Sequence, residues 1–348
     1  GLNWKLNGNV GTIPGQFLGT VDNQALDLRV NNSRALRLEP DATSPNIIGG
    51  YGGNLAAGAN GATIAGGGRD IAVNQVTADY GAVGGGAGNT ASGYAATVSG
   101  GEGHSATGSY AVVGGGQQNT AGEHAVVGGG QNNQASGSHA TVSGGNANDA
   151  SAAYASVGGG ATNQVTGNFS VIGGGSYNEA QAKYAAVLGG GPSDEANPTI
   201  TNNRVSDDYG VIGGGGGNSA GDGDGDAFSA PFATVGGGRQ NSAAGGYAAV
   251  GGGNINTASG YAAAIAGGEN NSAISNFATV SGGLGNSANS NYAAVSGGTG
   301  NAASNQFATV SGGRNNTADN AYATVGGGYA NSATGAFANV PGGALNMA

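Results

Sequence analysis

The sequence predicts an all-β fold, a parallel β-solenoid of about nineteen 15-residue coils behind a small N-terminal β-hairpin. Three observations predict it. A fifteen-residue unit, clearest at 307–321 as FATVSGGRNNTADNA, recurs from near Ile48 to the C-terminus. Several columns of that unit hold only small residues, spaced with the parity of a strand. The large side chains that build a globular core are scarce, with 6% aromatics against 78 glycines in 348 residues. A collagen reading fails, because the glycines come in clusters and proline totals 7.

Residues 1–45 have a different texture and read as a cap and assembly segment. Trp4, Phe17, Leu18, Leu26, Leu28, Val30, Leu36 and Leu38 hold much of the bulky apolar content. Alternation through Leu26, Leu28 and Val30, then Asn31-Asn32-Ser33, then Leu36 and Leu38 reads as a β-hairpin with one apolar face. A solenoid exposes unpaired strand edges at its ends, and such a hairpin would cover one. Arg29, Arg34 and Arg37 read as a solvated strand face.

The repeat domain, 46–348, is read by column. Its anchor is the aliphatic residue before the glycines: Ile48, Ile64, Val83, Val98, Val113, Val127, Val142, Val157, Ile172, Leu188, Ile212, Val235 and onward through Val280 and Val310 to Val340. Twelve of the eighteen intervals are fifteen residues. Gly stands two after every anchor, and three after in all but the first copy. Asn stands six after, as at Asn119, Asn286 and Asn316, except where Asp70, His104 and Asp194 replace it. Ala stands eight after, with Val165 the exception. Ala usually stands two before, and an aromatic three before: Tyr110, Tyr154, Phe169, Phe277, Tyr292, Phe307, Tyr322 and Phe337.

Side chains alternate along a strand, so the Ala two before, the anchor and the Gly two after belong to one tiny-residue interior, and the aromatic and the intervening Thr or Val to the outer face. Each coil is then strand, turn, short strand, turn, with coils about 4.8 Å apart. The Asn column, at interior parity, is expected to form a hydrogen-bonded ladder between coils. The alternative is that Asn serves only a left-handed turn.

Two insertions break the period, near 192–208 and 218–231. The second carries Asp222, Asp224 and Asp226, alternating with Gly like the start of a calcium loop, but without the closing Glu at the twelfth position. Solvated loops that could carry specific binding are the simpler reading, with calcium as the only cofactor the sequence raises. His124 and His139, fifteen apart in the aromatic column, would stack, and read as replacements of Tyr or Phe rather than as metal ligands. Thr63, Thr97, Thr141, Thr234, Thr279, Thr309 and Thr324 line the column before the anchor, the kind of hydroxyl row an ice- or carbohydrate-binding solenoid would need, but Ala and Val interrupt it.

Charge and composition exclude other classes. A net charge of −10 with nine Lys and Arg leaves no basic patch for nucleic acid. No apolar run approaches the ~20 residues that span a bilayer. Without cysteine there are no disulfides or thiolate sites. No Ser-His-Asp, Cys-His or paired-carboxylate constellation is present, and the triple glycines lack the Lys-Ser/Thr of a phosphate loop, so no enzyme is expected. The start at Gly1 reads as a processed or trimmed product.

One Val and two Ala per coil bury little apolar surface against the entropy of ordering fifteen Gly-rich residues, so self-association is expected. An outward line of some fifteen Tyr or Phe offers the surface, and three chains about one axis would cover it symmetrically. The pattern of aromatic or Ser, then A-T-V-G-G-G, then N-T-A-S-G resembles the head repeat of trimeric autotransporter adhesins. Similar repeats occur in phage tail fibres, and FLGTVDNQALDLRVNNSRALRLEP resembles a segment of bacterial surface and tail-fibre-like proteins. The resemblance implies a left-handed β-roll assembled as a homotrimer, in an extracellular or cell-surface adhesin that meets an unknown receptor or glycan. A phage tail-fibre shaft is the alternative. The extra glycine and the aromatic column depart from the usual head repeat. The pattern is cut mid-unit at Ala348, so either the native chain continues or this open end stacks on the N-terminal cap of another trimer, the expectation being end-to-end filaments.

Overall fold

The computed structural model describes Lys5 and residues 8–348. Trp4, expected in the cap, lies outside the described residues. The chain divides into two compact units, 1–119 and 120–348. Each is a parallel β-solenoid of coils about fifteen residues long, and no helix occurs among the described residues.

The first unit opens with the antiparallel hairpin of β1 (Leu26–Val30) and β2 (Ser33–Glu39). Its two turn residues, Asn31 and Asn32, have φ of 49° and 58°, as a tight hairpin turn requires. β2 lies antiparallel on β3 (Asn46–Gly49), and β3 runs parallel to strand Thr63–Ile64, so the hairpin covers the edge that the first coil would expose. The apolar face is incomplete: the register shifts between Leu28 and Arg29, and Val30 points to solvent. Arg34 is no solvated residue. Its guanidinium donates to the carbonyls of Asn54 at 3.0 Å and Tyr51 at 3.4 Å, capping the first turn, while Arg37 pairs with Asp27 at 3.2 Å.

A coil of the second unit shows the plan. Thr309–Val310 pairs in register with Thr324–Val325, Arg314 bridges Tyr329, and Thr317–Ala318 pairs with Ser332–Ala333. Three segments per coil are therefore hydrogen-bonded to the next, where sequence parity gave two. The third is one residue long and carries no apolar pattern. The anchors Val98 in the first unit and Val142, Val280 and Val310 in the second are fully buried, as are Ala308 and Ala318 beside Val310.

The glycine two after the anchor is not part of that interior. At Gly282 an added Cβ would meet nothing nearer than the Gly267 carbonyl oxygen at 3.7 Å, and the reason for glycine is a backbone φ of +143°. The next glycine is required twice over. Gly283 has φ +93°, and a Cβ there would run into the Gly298 carbonyl and the Asn286 amide.

Register around the irregular coils corrects the sequence reading in three places. The buried anchor before the first large insertion is Val187, whereas Leu188 is 62% exposed. The spacing is thus regular from Ile172 to Val187 and the whole excess falls before Ile212. Asn74 and Val76, not Asp70 and Ala72, occupy the interior columns after Ile64. Asn203 and Val205, not Asp194 and Ala196, occupy them after Val187. The ten extra residues before Ile212 accordingly fall within 191–202, since Arg204–Val205 is a regular strand of its coil, and the eight before Val235 fall within 221–231, since Ser219–Ala220 is another.

Candidate functional site

Two ladders run along the coils of each unit, one inside and one outside. The inner ladder is asparagine. Asn286 donates from Nδ2 to the Gly282 carbonyl at 2.8 Å and the Gly298 carbonyl at 2.9 Å, and its Oδ1 accepts the Asn301 N–H at 3.0 Å. Asn316 repeats this, accepting the Asn331 N–H at 3.0 Å. One amide therefore satisfies its own turn and ties it to the next coil. In the first unit Asn119 Nδ2 donates to the Gly115 carbonyl at 2.8 Å. These asparagines are absent from the positive-φ positions, so the left-handed-turn alternative does not hold for them.

His104 interrupts the ladder in the first unit. It is buried, its Nδ1 accepts the Asn119 N–H at 3.1 Å, and its Nε2 has no hydrogen-bond partner. Burial holds its pKa below the ordinary histidine value.

The outer ladder is aromatic, and its geometry was not legible from parity. The rings do not project from strands. Tyr110, Tyr154, Phe277, Tyr292, Phe307, Tyr322 and Phe337 all sit in left-handed turns with φ between 57° and 62°. That backbone is strained for a bulky side chain. It lets each residue's N–H reach the adjacent coil, as from Tyr154 to the Ser138 carbonyl at 2.9 Å. It also places each ring over the previous one. In the second unit His124 and His139 stack at 4.7 Å and 4° between planes, and the stack continues through Tyr154, Phe169, Tyr184, Tyr209 and Phe232 to Tyr247. It resumes from Phe277 through Tyr292, Phe307 and Tyr322 to Phe337 at 4.8–5.0 Å.

The stack breaks where the aromatic comes one residue early. Ala262 takes the left-handed position, and Tyr261 packs edge-on at 68° to Tyr247 and 73° to Phe277. In the first unit Ala95 does the same, leaving Tyr94 edge-on to Tyr80 and Tyr110. Stacked rings cover one another's faces. Their edges remain open: Tyr154 is 50% exposed and Phe307 37%.

The excursions are the other candidate. In 221–231 the alternating carboxylates head successive amides: Asp222 accepts from Asp224 N–H at 3.1 Å, Asp224 from Asp226 at 2.7 Å and Asp226 from Phe228 at 3.0 Å. The Ser229 hydroxyl lies within 3.2 Å of carboxylate oxygens of Asp207, Asp222 and Asp224. Asp222, Asp224 and Asp226 thus build the turn itself, and no group of three or more His, Cys, Asp or Glu among the described residues is placed to hold a metal. In 191–202 Asp194 likewise accepts from Ala196 N–H at 2.9 Å and from Asn197 Nδ2 at 2.8 Å. The excursion 191–202 folds beside the outer face of the strands that carry Ala150, Val165 and Ala180, and 221–231 lies beside the turns 166–168 and 181–183 that follow two of them. There they wall cavities of about 190 Å³, under 191–202, and about 270 Å³, beside Phe228.

Comparisons with protein-family models and with curated proteins found no match to this chain.

Proposed function

We propose that the chain is a structural fibre module, a stack of coils whose work is length, stiffness and display. The observation that carries this reading is the pair of ladders: the regular coils repeat the same inner amide, with His104 in its place in one of them, and most repeat the same outer ring. Repetition of one small coil yields an extended element whose stability is a sum of nearest-neighbour contacts, and surface loops can be added without changing it. The resemblance of the repeat to adhesin heads and tail fibres supports a homotrimer at a bacterial surface, with a virion tail fibre as the alternative setting. The open ring edges are the natural contact between chains. No catalytic role belongs to this reading.

Negative-stain microscopy of purified protein tests it. Unbranched rods of constant width are expected; round particles would overturn the proposal.

A further inference from the structure

The excursion 191–202 does more than decorate its coil. It closes over the outward column Asp149, Gln164 and Glu179, which the parallel strands hold one coil apart in register. Between the excursion and that column lies the cavity of about 190 Å³. Two of its polar groups are unanswered. Asn202, from the excursion, is 7% exposed, and its Nδ2 has no hydrogen-bond partner. Asp149, from the coil, has a covered Oδ1 that also has none. Tyr177 and Thr199 complete the wall.

A buried donor and a buried acceptor left open in one pocket are costly unless something occupies it. The occupant must accept from Asn202 and donate to Asp149. A hydroxyl does both, and several hydroxyls fixed on one ring reach both ends at once. The volume is that of roughly six water molecules at their ~30 Å³ share, the scale of a single sugar ring. Tyr177 offers an aromatic wall to the apolar side of such a ring. The carboxylates of Asp149 and Glu179 disfavour an anion.

From this geometry we infer that the pocket under 191–202 binds a neutral pyranose through its hydroxyl groups. The inference goes beyond the fibre role, and a pocket that failed would leave that role intact. Burial pushes the Asp149 carboxyl above its ordinary value, opposed by a hydrogen bond from Gln164.

Calorimetric titration of the full chain with methyl α-glucopyranoside, methyl β-galactopyranoside and N-acetylglucosamine tests it, beside glucuronate and calcium chloride. At least one neutral sugar is expected to bind with millimolar Kd, and glucuronate at least tenfold more weakly. Asn202→Leu and Asp149→Leu should each weaken binding at least tenfold. Replacing 191–202 with the two-residue turn of the preceding coil, Ser176-Tyr177, should abolish it while keeping a coil geometry the protein already uses. The inference is overturned if no neutral sugar binds, if binding survives the turn replacement, or if glucuronate or calcium binds more tightly than every neutral sugar.

Discussion

Asn286 shows what a single residue contributes. Its side chain answers two part-buried carbonyls and one buried N–H. Asn286→Ala leaves all three open, and leaving one such group unsatisfied costs about 1–3 kcal/mol. A loss of about 3 kcal/mol in urea unfolding is expected, against a change within about 0.5 kcal/mol for the exposed Gln306→Ala. Equal effects would contradict the ladder.

His104 fills the same column with a group that titrates. Its folded pKa is lowered by burial, so below the ordinary value of 6.5 the unfolded chain takes up a proton that the folded chain resists. The stability it contributes is full above that value and is lost as pH falls through the depressed folded pKa. Protonating Nδ1 would also break its bond from Asn119 N–H. The melting temperature should therefore fall less between pH 7.5 and pH 5 in His104→Asn than in the parent. An unchanged pH dependence would count against this.

At the scale of the element, the aromatic turn sets strain against stacking. Each ring pair contributes about 0.5–1.5 kcal/mol, and the left-handed backbone costs a non-glycine residue about 1–2 kcal/mol. Phe307 stacks on both Tyr292 and Tyr322. Phe337 has Tyr322 as its described ring neighbour and is 73% exposed. Phe307→Ala should thus destabilise by about 1–3 kcal/mol and by more than Phe337→Ala. Phe307→Gly should be milder than Phe307→Ala, because glycine adopts φ near +58° freely. Melting curves that rank alanine above glycine would refute the turn assignment.

The anchor, Ala and Asn columns were legible because a narrow interior tolerates only small or β-branched side chains and shows this in every copy. The ring turn was not, since bulky aromatics ordinarily avoid positive φ and parity alone placed them on a strand. The sequence does not separate Val187 from Leu188 as the anchor, because both are aliphatic and the glycine run that follows fits either. Asn74 and Asn203 were missed because counting from the anchor assumes an uninterrupted turn. The pocket lined by Asp149 and Asn202 joins residues 53 apart through a loop fold that has no local signature. An insertion beside polar outward positions was its only sequence signal.

For the whole molecule, the open question of energetics is what lies against the ring edges. Stacking covers the faces from coil to coil but leaves a line of half-exposed Tyr and Phe. A chain with net charge −10 and few large interior side chains would gain most by sharing that line with identical copies, as proposed above. Three chains would do so symmetrically, and in the proposed trimer the excursions would recur around the assembly and multiply whatever a single pocket binds.

Light scattering coupled to size-exclusion chromatography measures this directly. A particle of three times the chain mass of 32.7 kDa that persists on dilution is expected; a particle of one chain mass would rule out the trimer.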